Sequence, residues 1–398
     1  NPKIWLGQAN LITNDEITKM YGSEGLGYNI LRLMIYPNEA DWSSDVEGAN
    51  LAQQHGAIII AAPWHCPDAL VEKIMINKEE RNHLKHDSYQ AYANHLVKYI
   101  NFMKDHGINL YGISVQNEPD VGFTFWYPEE IVDFVKRYGD QIRTTGVKLM
   151  APEACGFQPD YTDPILNDPI AFANTDILCG HLYQGFINLE DSYVKSRHTY
   201  ICGLYNKLIT AGKPWSWWMT EHLFNEGQDE SDPTLWKFQK WEYNLQNLGK
   251  EIHMCMEGYC SAYIYWYLKR FYGMIGDSDP RSLVAPGEVT KNGCIMAHYA
   301  QYASNMTRIK VETSDAEVMA TAYINDSETE ITVVLLNMKN KDFNVRIFSP
   351  VAIKNLNAIE TTEDKNMRNL TVDVDDNKQD AFVPISAKSI VSVRLEVD

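Results

Sequence analysis

Short apolar runs alternate with amphipathic stretches over residues 28–268, and this alternation constrains the fold more than any other feature of the chain. Several runs are almost continuously hydrophobic, which is typical of parallel strands covered on both faces. Strands that alternate with helices favour either a (β/α)8 barrel or a doubly wound sheet. The predicted strands span residues 29–35, 57–62, 110–115, 148–151, 176–182, 216–220 and 262–267.

The sequence has no glycine-rich turn that would support a doubly wound, nucleotide-binding sheet. Neither G-x-G-x-x-G after a predicted strand nor G-x-x-x-x-G-K-[S/T] occurs in it. Because such sheets bind phosphates with these turns, we predict an α/β protein with a (β/α)8 TIM barrel. Later in the chain, short β-branched runs separated by Asn- and Asp-rich turns indicate an antiparallel β-sandwich. We expect a catalytic barrel over residues 1–306 and a side β-sandwich over residues 307–398.

The start of the chain poses a question of strand number. A closed barrel of this kind needs eight strands, and the pattern supplies seven. We expect the first strand to come from a segment before Asn1, because residues 2–6 are too few for that strand and a sandwich strand together. No signal peptide is recognisable at this end.

Charge and composition exclude several classes of partner. Asp and Glu number 53 against 35 Lys and Arg, a net charge of -18, so phosphate repulsion argues against nucleic acid. The same charge disfavours a polyanionic substrate. No apolar run reaches the 18 residues of a membrane span. The seven cysteines include no C-x-x-C pair, which disfavours a disulfide scaffold or a zinc site.

Two predicted strands end in a glutamate, and barrel active sites lie at such ends. One runs into Asn117-Glu118-Pro119, and the other into Thr220-Glu221-His222. By strand count they are the fourth and seventh strands, whose ends face each other. A single glutamate at a strand end is more simply explained as an ion-pair partner. The second glutamate and the Asn-Glu-Pro context favour catalysis.

Two facing carboxyl groups suit the cleavage of glycosidic bonds. One must be protonated to donate to the leaving oxygen, and the other ionised to attack the anomeric carbon. We expect burial to raise the pKa of Glu118 and neighbouring donors to keep Glu221 charged. Retention of configuration needs the pair about 5–5.5 Å apart. The amide of Asn117 would contact the sugar 2-hydroxyl, and Arg32 would either orient Glu221 or form a structural ion pair.

Aromatic residues near strand ends indicate a sugar-binding surface, because sugars stack their C–H faces on such rings. Any single tryptophan is more often a core residue. Histidines also lie near strand ends (His65, His181, His222), but no His-x-His pair occurs on one strand, so we predict neither a catalytic metal nor any other cofactor. The candidate aromatic residues are Trp64, Trp126, Tyr183 and Trp266.

Six segments together resemble glycoside hydrolase family 30, in particular its bacterial glucuronoxylanase and endoxylanase branch. The segment at residues 262–273 is the most specific of them, whereas Asn-Glu-Pro occurs in many barrel glycosidases. The resemblance covers nearly the whole chain, including the sandwich. The segments are residues 114–120, 151–154, 163–169, 181–183, 218–221 and 262–273.

The resemblance implies a retaining endo-β-1,4-xylanase that acts on xylan or glucuronoxylan by double displacement. Glu118 matches the acid/base of the family and Glu221 its nucleophile. Arg270 and Tyr272 fall where the branch holds a 4-O-methylglucuronate substituent, by a charge-assisted contact. A polysaccharide substrate and the family together imply a secreted or cell-surface protein, which we expect to be a monomer.

Departures from the family pattern bear on the glucuronate. Residues 222–232 include four carboxylates, which would repel a carboxylate ligand, and Lys269 replaces an arginine of the branch. The connection over residues 184–213 is also longer than expected. We therefore expect no strict dependence on glucuronate. Two alternatives stay open: an exo-acting β-glycosidase of the same family and a non-catalytic carbohydrate-binding protein.

Overall fold

The structure is a computed structural model that describes residues 12–213, 217–224 and 240–398. The chain forms two compact units. The first comprises the described residues of 1–18, 30–223 and 258–266, and the second those of 19–29, 224–257 and 267–398.

The described residues of the first unit form ten strands. Their bounds are β1 (Ile30–Ile35), β2 (Ile58–Pro63), β3 (Val71–Ile76), β4 (Glu79–Leu84), β5 (Leu110–Ser114), β6 (Thr124–Phe125), β7 (Lys148–Ala154), β8 (Ile177–His181), β9 (Trp218–Glu221) and β10 (Ala262–Tyr263). Seven of them form one parallel sheet in the order β1-β2-β5-β7-β8-β9-β10. Each strand pairs with the next one of this sheet along the chain, with helices between them, as in a (β/α)8 barrel.

All seven predicted barrel strands are present, and the predicted fold class is confirmed. The C-terminal ends of two strands, β7 and β10, differ from the predicted ones. β7 continues to Ala154, which places Glu153 inside the strand, and β10 is shorter than predicted. The expectation about a first strand concerns residues 1–11 and any segment before them, which lie outside the described residues.

The described residues also form ten α-helices, which are divided between the two units. The α-helices are α1 (Asn14–Tyr21), α2 (Val46–Gln54), α3 (Tyr89–Asp105), α4 (Pro128–Arg143), α5 (Pro159–Asn167), α6 (Pro169–Asn174), α7 (Ser192–Thr210), α8 (Trp241–Asn244), α9 (Lys250–Glu257) and α10 (Lys291–Tyr302). Short 3-10 helices span Glu39–Asp45, Asp68–Leu70 and His86–Ser88, and a π-helical turn spans Leu245–Gly249. Among the residues that the structure describes, no helix has the length and hydrophobicity to cross a membrane.

A small sheet after β2 was not predicted. Strands β3 and β4 form an antiparallel hairpin whose turn, Asn77-Lys78, has two residues with positive φ, of 50° and 73°. Such a turn matches the twist of paired strands. β6 adds to β4 in parallel, so the hairpin is joined to the segment that follows β5.

The second unit contains an antiparallel β-sandwich, as predicted. Its strands are β11 (Thr307–Ile309), β12 (Val318–Ile324), β13 (Glu330–Asn337), β14 (Phe343–Phe348), β15 (Ile353–Thr361), β16 (Arg368–Asn369), β17 (Asp373–Val374), β18 (Asp380–Ile385) and β19 (Ser389–Val397). They form sheets in the orders β11-β12-β13-β19-β15-β16 and β14-β18-β17. Val333 and Val391 of the larger sheet share a core with Val383 of the smaller one. The second unit also includes α8–α10, and the domain boundary at residue 306 stays a prediction.

Candidate active site

Five polar side chains of the first unit gather at the C-terminal ends of the parallel strands. Arg32 lies within β1, Glu153 is the sixth residue of β7, and His181 and Glu221 end β8 and β9. Glu118 follows β5. All except Glu118 are buried, and the Glu118 side chain is 18% exposed. A group at a strand end in such a fold faces the position where substrates bind.

The backbone after β5 is held against its neighbours. Asn117 N–H donates to the Pro63 carbonyl at 2.8 Å, and Glu118 N–H donates to the Glu153 carbonyl at 3.0 Å. Glu118 and Glu153 both have positive φ, of 46° and 61°, which is strained for residues with a side chain. These contacts therefore fix the direction of the Glu118 side chain at the cost of a strained backbone.

The two predicted catalytic glutamates lie together. An oxygen of Glu118, an oxygen of Glu221 and a ring nitrogen of His181 all lie within 4.8 Å of one another. Glu118 Oε1 is 3.0 Å from Nδ1 of His181. Glu118 therefore has a hydrogen-bonding partner of its own beside the second carboxylate.

Arg32 connects this pair to the rest of the sheet. Its Nη1 donates to Glu221 Oε2 at 2.6 Å, and its Nη2 donates to Glu153 Oε1 at 2.8 Å and to Asn117 Oδ1 at 2.5 Å. Both roles considered for Arg32 are thus present, since one guanidinium orients Glu221 and pairs with the buried Glu153. The contact with Arg32 also fixes the amide of Asn117.

Tyr183 contacts the other oxygen of Glu221. Its hydroxyl donates to Glu221 Oε1 at 3.0 Å, so both oxygens of that carboxylate accept hydrogen bonds. The expected donors around Glu221 are therefore present. Tyr183 also packs edge-on against His222, with ring centroids 5.0 Å apart.

The pKa of Glu118 differs in direction from our expectation. Burial raises it, but the hydrogen bond and the positive charge of His181 outweigh burial, and the pKa lies below its ordinary value. Burial lowers the pKa of His181, whereas the charge of Glu221 and the contact with Glu118 raise it to about 9. The prediction of a raised pKa for Glu118 was wrong because it considered burial without this histidine.

Glu153 is the counter-charge at the base of the site. Its side chain is fully buried, 2.8 Å from Arg32 and 3.7 Å from Nε2 of His181. Burial raises the pKa of Glu153, but the positive charges of Arg32 and His181 lower it to about 2. It is therefore an anion at neutral pH and compensates the two buried cations.

Neither Glu153 nor His181 was predicted from the sequence to have a catalytic or positioning role. Both lie in segments that carry the family resemblance, and His181 was considered only as a metal ligand. Their positions could have indicated a role. His181 lies near the end of the predicted strand 176–182, and Glu153 lies two residues after the predicted strand 148–151.

The three predicted sugar-binding tryptophans differ in exposure and in the residues they contact. Trp64 and Trp266 lie with ring centroids 5.6 Å apart, and Arg32 Cζ lies 4.5 Å from the Trp64 ring. Trp64 is buried, whereas Trp266 is partly exposed. Trp126 is 1% exposed and packs against Tyr89 and other rings of α3 and α4. Its burial in the core corrects the expectation that it stacks on a sugar.

The predicted glucuronate residues belong to the second unit. Arg270 Cζ lies 5.6 Å from the Phe271 ring centroid and 6.0 Å from that of Tyr272, which is buried. The four carboxylates of residues 226–232 lie outside the described residues. The assignment of Arg270 and Tyr272 to glucuronate stays a prediction.

The distances among Glu118, His181 and Glu221 would also admit a metal ion. However, the guanidinium of Arg32 already lies 2.6 Å from Glu221, and its positive charge would oppose a cation at that carboxylate. A hydrogen-bonded carboxylate beside a second, ionised one instead suits proton transfer and nucleophilic attack.

Comparisons with known proteins agree with this arrangement. A family model described as the glycosyl hydrolase family 30 TIM-barrel domain matches residues 46–201. The glucuronoxylanase XynC of Bacillus subtilis (strain 168) is 34% identical over 362 residues, which are 88% of this chain and 78% of that protein.

Solved structures extend the likeness to the whole chain. A glycoside hydrolase family 30 endoxylanase from Clostridium papyrosolvens C71 has a TM-score of 0.80 and 28% identity. A family 30, subfamily 8 xylanase from Clostridium acetobutylicum has a TM-score of 0.81 and 25% identity. Each match covers 99% of this chain and 94% of the other.

Proposed function

This chain belongs to glycoside hydrolase family 30, and we propose that it is a retaining endo-β-1,4-xylanase that hydrolyses xylan or glucuronoxylan by double displacement. The observation that carries the proposal is the proximity of Glu118 and Glu221, whose nearest oxygens lie within 4.8 Å. Retaining glycosidases hold their two carboxyl groups about 5–5.5 Å apart, whereas inverting ones leave about 6.5–9.5 Å for a water molecule. The short separation supports the retaining mechanism.

Glu221 is the proposed nucleophile. Hydrogen bonds from Arg32 and Tyr183 hold both of its oxygens, so the carboxylate has little freedom to rotate away from the anomeric carbon. Holding the nucleophile in one orientation removes an entropic part of the barrier. The amide of Asn117, fixed by Arg32, would contact the sugar 2-hydroxyl in the transition state.

Glu118 is the proposed acid/base, with His181 as its proton partner. The 3.0 Å contact between Glu118 Oε1 and His181 Nδ1 lets the two groups share a proton. During glycosylation the proton passes through Glu118 to the leaving oxygen while Glu221 forms the glycosyl ester. In deglycosylation, Glu118 takes a proton from the attacking water. The pair thus holds one proton before and after turnover and none in the intermediate.

The relatives support the choice of substrate. One is named a glucuronoxylanase, and the two solved structures are an endoxylanase and a xylanase. Trp266, which is partly exposed beside Trp64, offers a ring on which a xylose unit can stack. We propose that the protein acts on this polymer outside the cell and as a monomer.

Glucuronate is proposed to assist binding without being required. A contact between Arg270 and the substituent would be worth about 4 kcal/mol at about 4 Å and an effective dielectric near 20, before desolvation. The carboxylates of residues 226–232 would oppose it. We expect comparable rates on glucuronoxylan and on unsubstituted xylan. A preference above about a hundredfold for glucuronoxylan would contradict this proposal.

Product analysis on linear xylan tests the function. An endo-acting retaining enzyme should release a ladder of oligosaccharides, and proton NMR should detect the β-anomer first. Release of xylose alone, or hydrolysis restricted to aryl glycosides, would support the exo-acting alternative. Binding without any hydrolysis would support the non-catalytic one. An α-anomer formed first would contradict retention.

A further inference from the structure

A second cluster of histidine and carboxylate groups lies in the first unit, apart from the proposed catalytic residues. It consists of His83, His86 and Glu130, from the end of β4, the following 3-10 helix and the first turn of α4. One ligand atom from each residue lies within 4.8 Å of the other two. None of the three residues has a part in the proposed hydrolysis.

The side chains of the cluster converge on a single oxygen. Nε2 of His83 lies 2.8 Å and Nε2 of His86 2.5 Å from Oε1 of Glu130. Two imidazole nitrogens and one carboxylate oxygen therefore point at the same small region. The set of two histidines and one carboxylate is a common protein ligand set for Zn²⁺, which accepts a fourth ligand from water.

His83 and Glu130 each have a further hydrogen-bonding partner outside the cluster. Glu72 lies opposite His83 across the β3–β4 hairpin, with its Oε1 3.3 Å from His83 Nδ1. The Tyr127 N–H donates to the second oxygen of Glu130 at 2.7 Å. A carboxylate that accepts a hydrogen bond from one ring nitrogen of a histidine leaves the other ring nitrogen available to a metal. These outer contacts leave Nε2 of His83 and Oε1 of Glu130 directed at the centre of the cluster.

The exposure of the three side chains suits access by an ion from solvent. His83 and Glu130 are 7% and 9% exposed, whereas His86 is 70% exposed. Two ligands are thus fixed within the protein and the third lies at its surface. An ion could enter from the side of His86, and a water molecule could complete its coordination there.

We propose that His83, His86 and Glu130 form a binding site for one divalent transition-metal ion of the zinc type. The ion joins the β3–β4 hairpin to the start of α4, because it bonds to residues of both. This segment pairs with β6, which follows the loop of Glu118, so the ion stabilises the surroundings of the site without taking part in hydrolysis. The contrasting interpretation is that the three residues form only an ion pair and a helix cap.

Zinc binding to the full chain tests the proposal. Zn²⁺ is titrated in competition with a chromophoric chelator, and Co²⁺ absorption reports on the coordination. The wild-type chain should bind one ion, and bound Co²⁺ should give the visible spectrum of a four-coordinate site. His86→Gln should weaken binding by at least about 100-fold and Glu72→Gln by about 10–100-fold. Because His86 is exposed, its replacement should leave folding and xylan hydrolysis unchanged.

Two further variants separate this site from other metal-binding groups. His106→Gln alters an exposed histidine elsewhere on the first unit and should leave zinc affinity unchanged. Glu118→Gln removes one member of the other cluster whose distances admit an ion, and it should also leave the affinity unchanged. Absence of binding by the folded wild-type chain would overturn the proposal. Wild-type affinity in His86→Gln, or a loss of binding in Glu118→Gln, would overturn it too.

Discussion

At the scale of single residues, five buried or half-buried polar groups balance one another's charge at the candidate active site. Glu118, Glu153 and Glu221 supply the negative charges, and Arg32 and His181 the positive ones. An unpaired charge in such a place would cost several kcal/mol. The pairing lets the protein keep two carboxylates within 4.8 Å at their oxygens.

Replacing the acid/base separates its two duties. Glu118→Gln should lower the rate on xylan by about 10²–10⁴-fold, because the xylan leaving group needs a proton. Glycosylation by aryl glycosides with activated phenols should be nearly unaffected, since their leaving groups depart without one. Pre-steady-state release of phenol measures this step. An equal loss on both kinds of substrate would argue against the role of Glu118.

The titration of His181 and Glu153 predicts how stability changes with pH. The pKa of His181 is raised to about 9 from an unfolded value of about 6.5. Its contribution is therefore complete below about pH 6.5 and lost as the pH rises through about 9. The pKa of Glu153 is lowered to about 2, so its contribution is present above about pH 4.5 and lost as the pH falls through about 2.

Urea unfolding as a function of pH measures both effects. The free energy of unfolding should decrease between about pH 6.5 and 9 in the wild type, because the folded state holds the His181 proton more tightly. His181→Gln should be less stable at pH 6.5 and should show a flatter dependence over that interval. The same decrease in His181→Gln as in the wild type would mean that another group is responsible.

At the scale of elements, the ends of the strands decide where these residues lie. Gly180 precedes His181 in β8, and a Cβ atom built there would lie 1.6 Å from Cδ2 of Phe157. Phe157 is fully buried and packs against Trp217, so it cannot move aside freely. The close approach of Phe157 to β8 therefore requires glycine at residue 180.

Two glycine-to-alanine changes test this packing. Gly180→Ala should destabilise the protein by about 1–3 kcal/mol through overpacking, and it should lower activity because His181 is displaced. Gly203→Ala is the matched control, since nothing lies within 4 Å of a Cβ there. Within α7 it should stabilise by about 0.5–1 kcal/mol. Thermal unfolding compares the two, and equal stability of both variants would contradict the packing argument.

Hydrophobic patterns in the sequence predicted the barrel strands but not every strand of the first unit. The barrel strands were predicted because they are apolar over several consecutive residues. The β3–β4 hairpin was missed because β4 (Glu79–Leu84) has five polar residues out of six, and the four apolar residues of β3 (Val71–Ile76) form neither a continuous run nor a strict alternation. Trp126 was misplaced for a related reason: its position after a strand does not reveal that α3 and α4 enclose it.

At the scale of the whole molecule, the order of strands along the chain brings together residues that are far apart in sequence. The proximity of Glu118 and Glu221 was predictable because Glu221 ends β9 and Glu118 lies shortly after β5, and parallel strands of such a sheet all end on the same side. The contacts of Arg32 with Asn117 and Glu153, and of His181 with Glu118, depend on side-chain directions. The sequence therefore predicted that the two glutamates lie close together, but not the charges that set the pKa of Glu118.

Trapping the glycosyl-enzyme is the most direct test that Glu221 is the nucleophile of a retaining enzyme. A xylobioside with fluorine at C2 and an activated leaving group should react once and hydrolyse slowly, because fluorine destabilises the oxocarbenium-like transition states and the leaving group restores only the first step. Mass spectrometry should find one adduct per chain, and peptide mapping should place it on Glu221. An adduct on another residue, or none with an enzyme that hydrolyses xylan, would contradict the account.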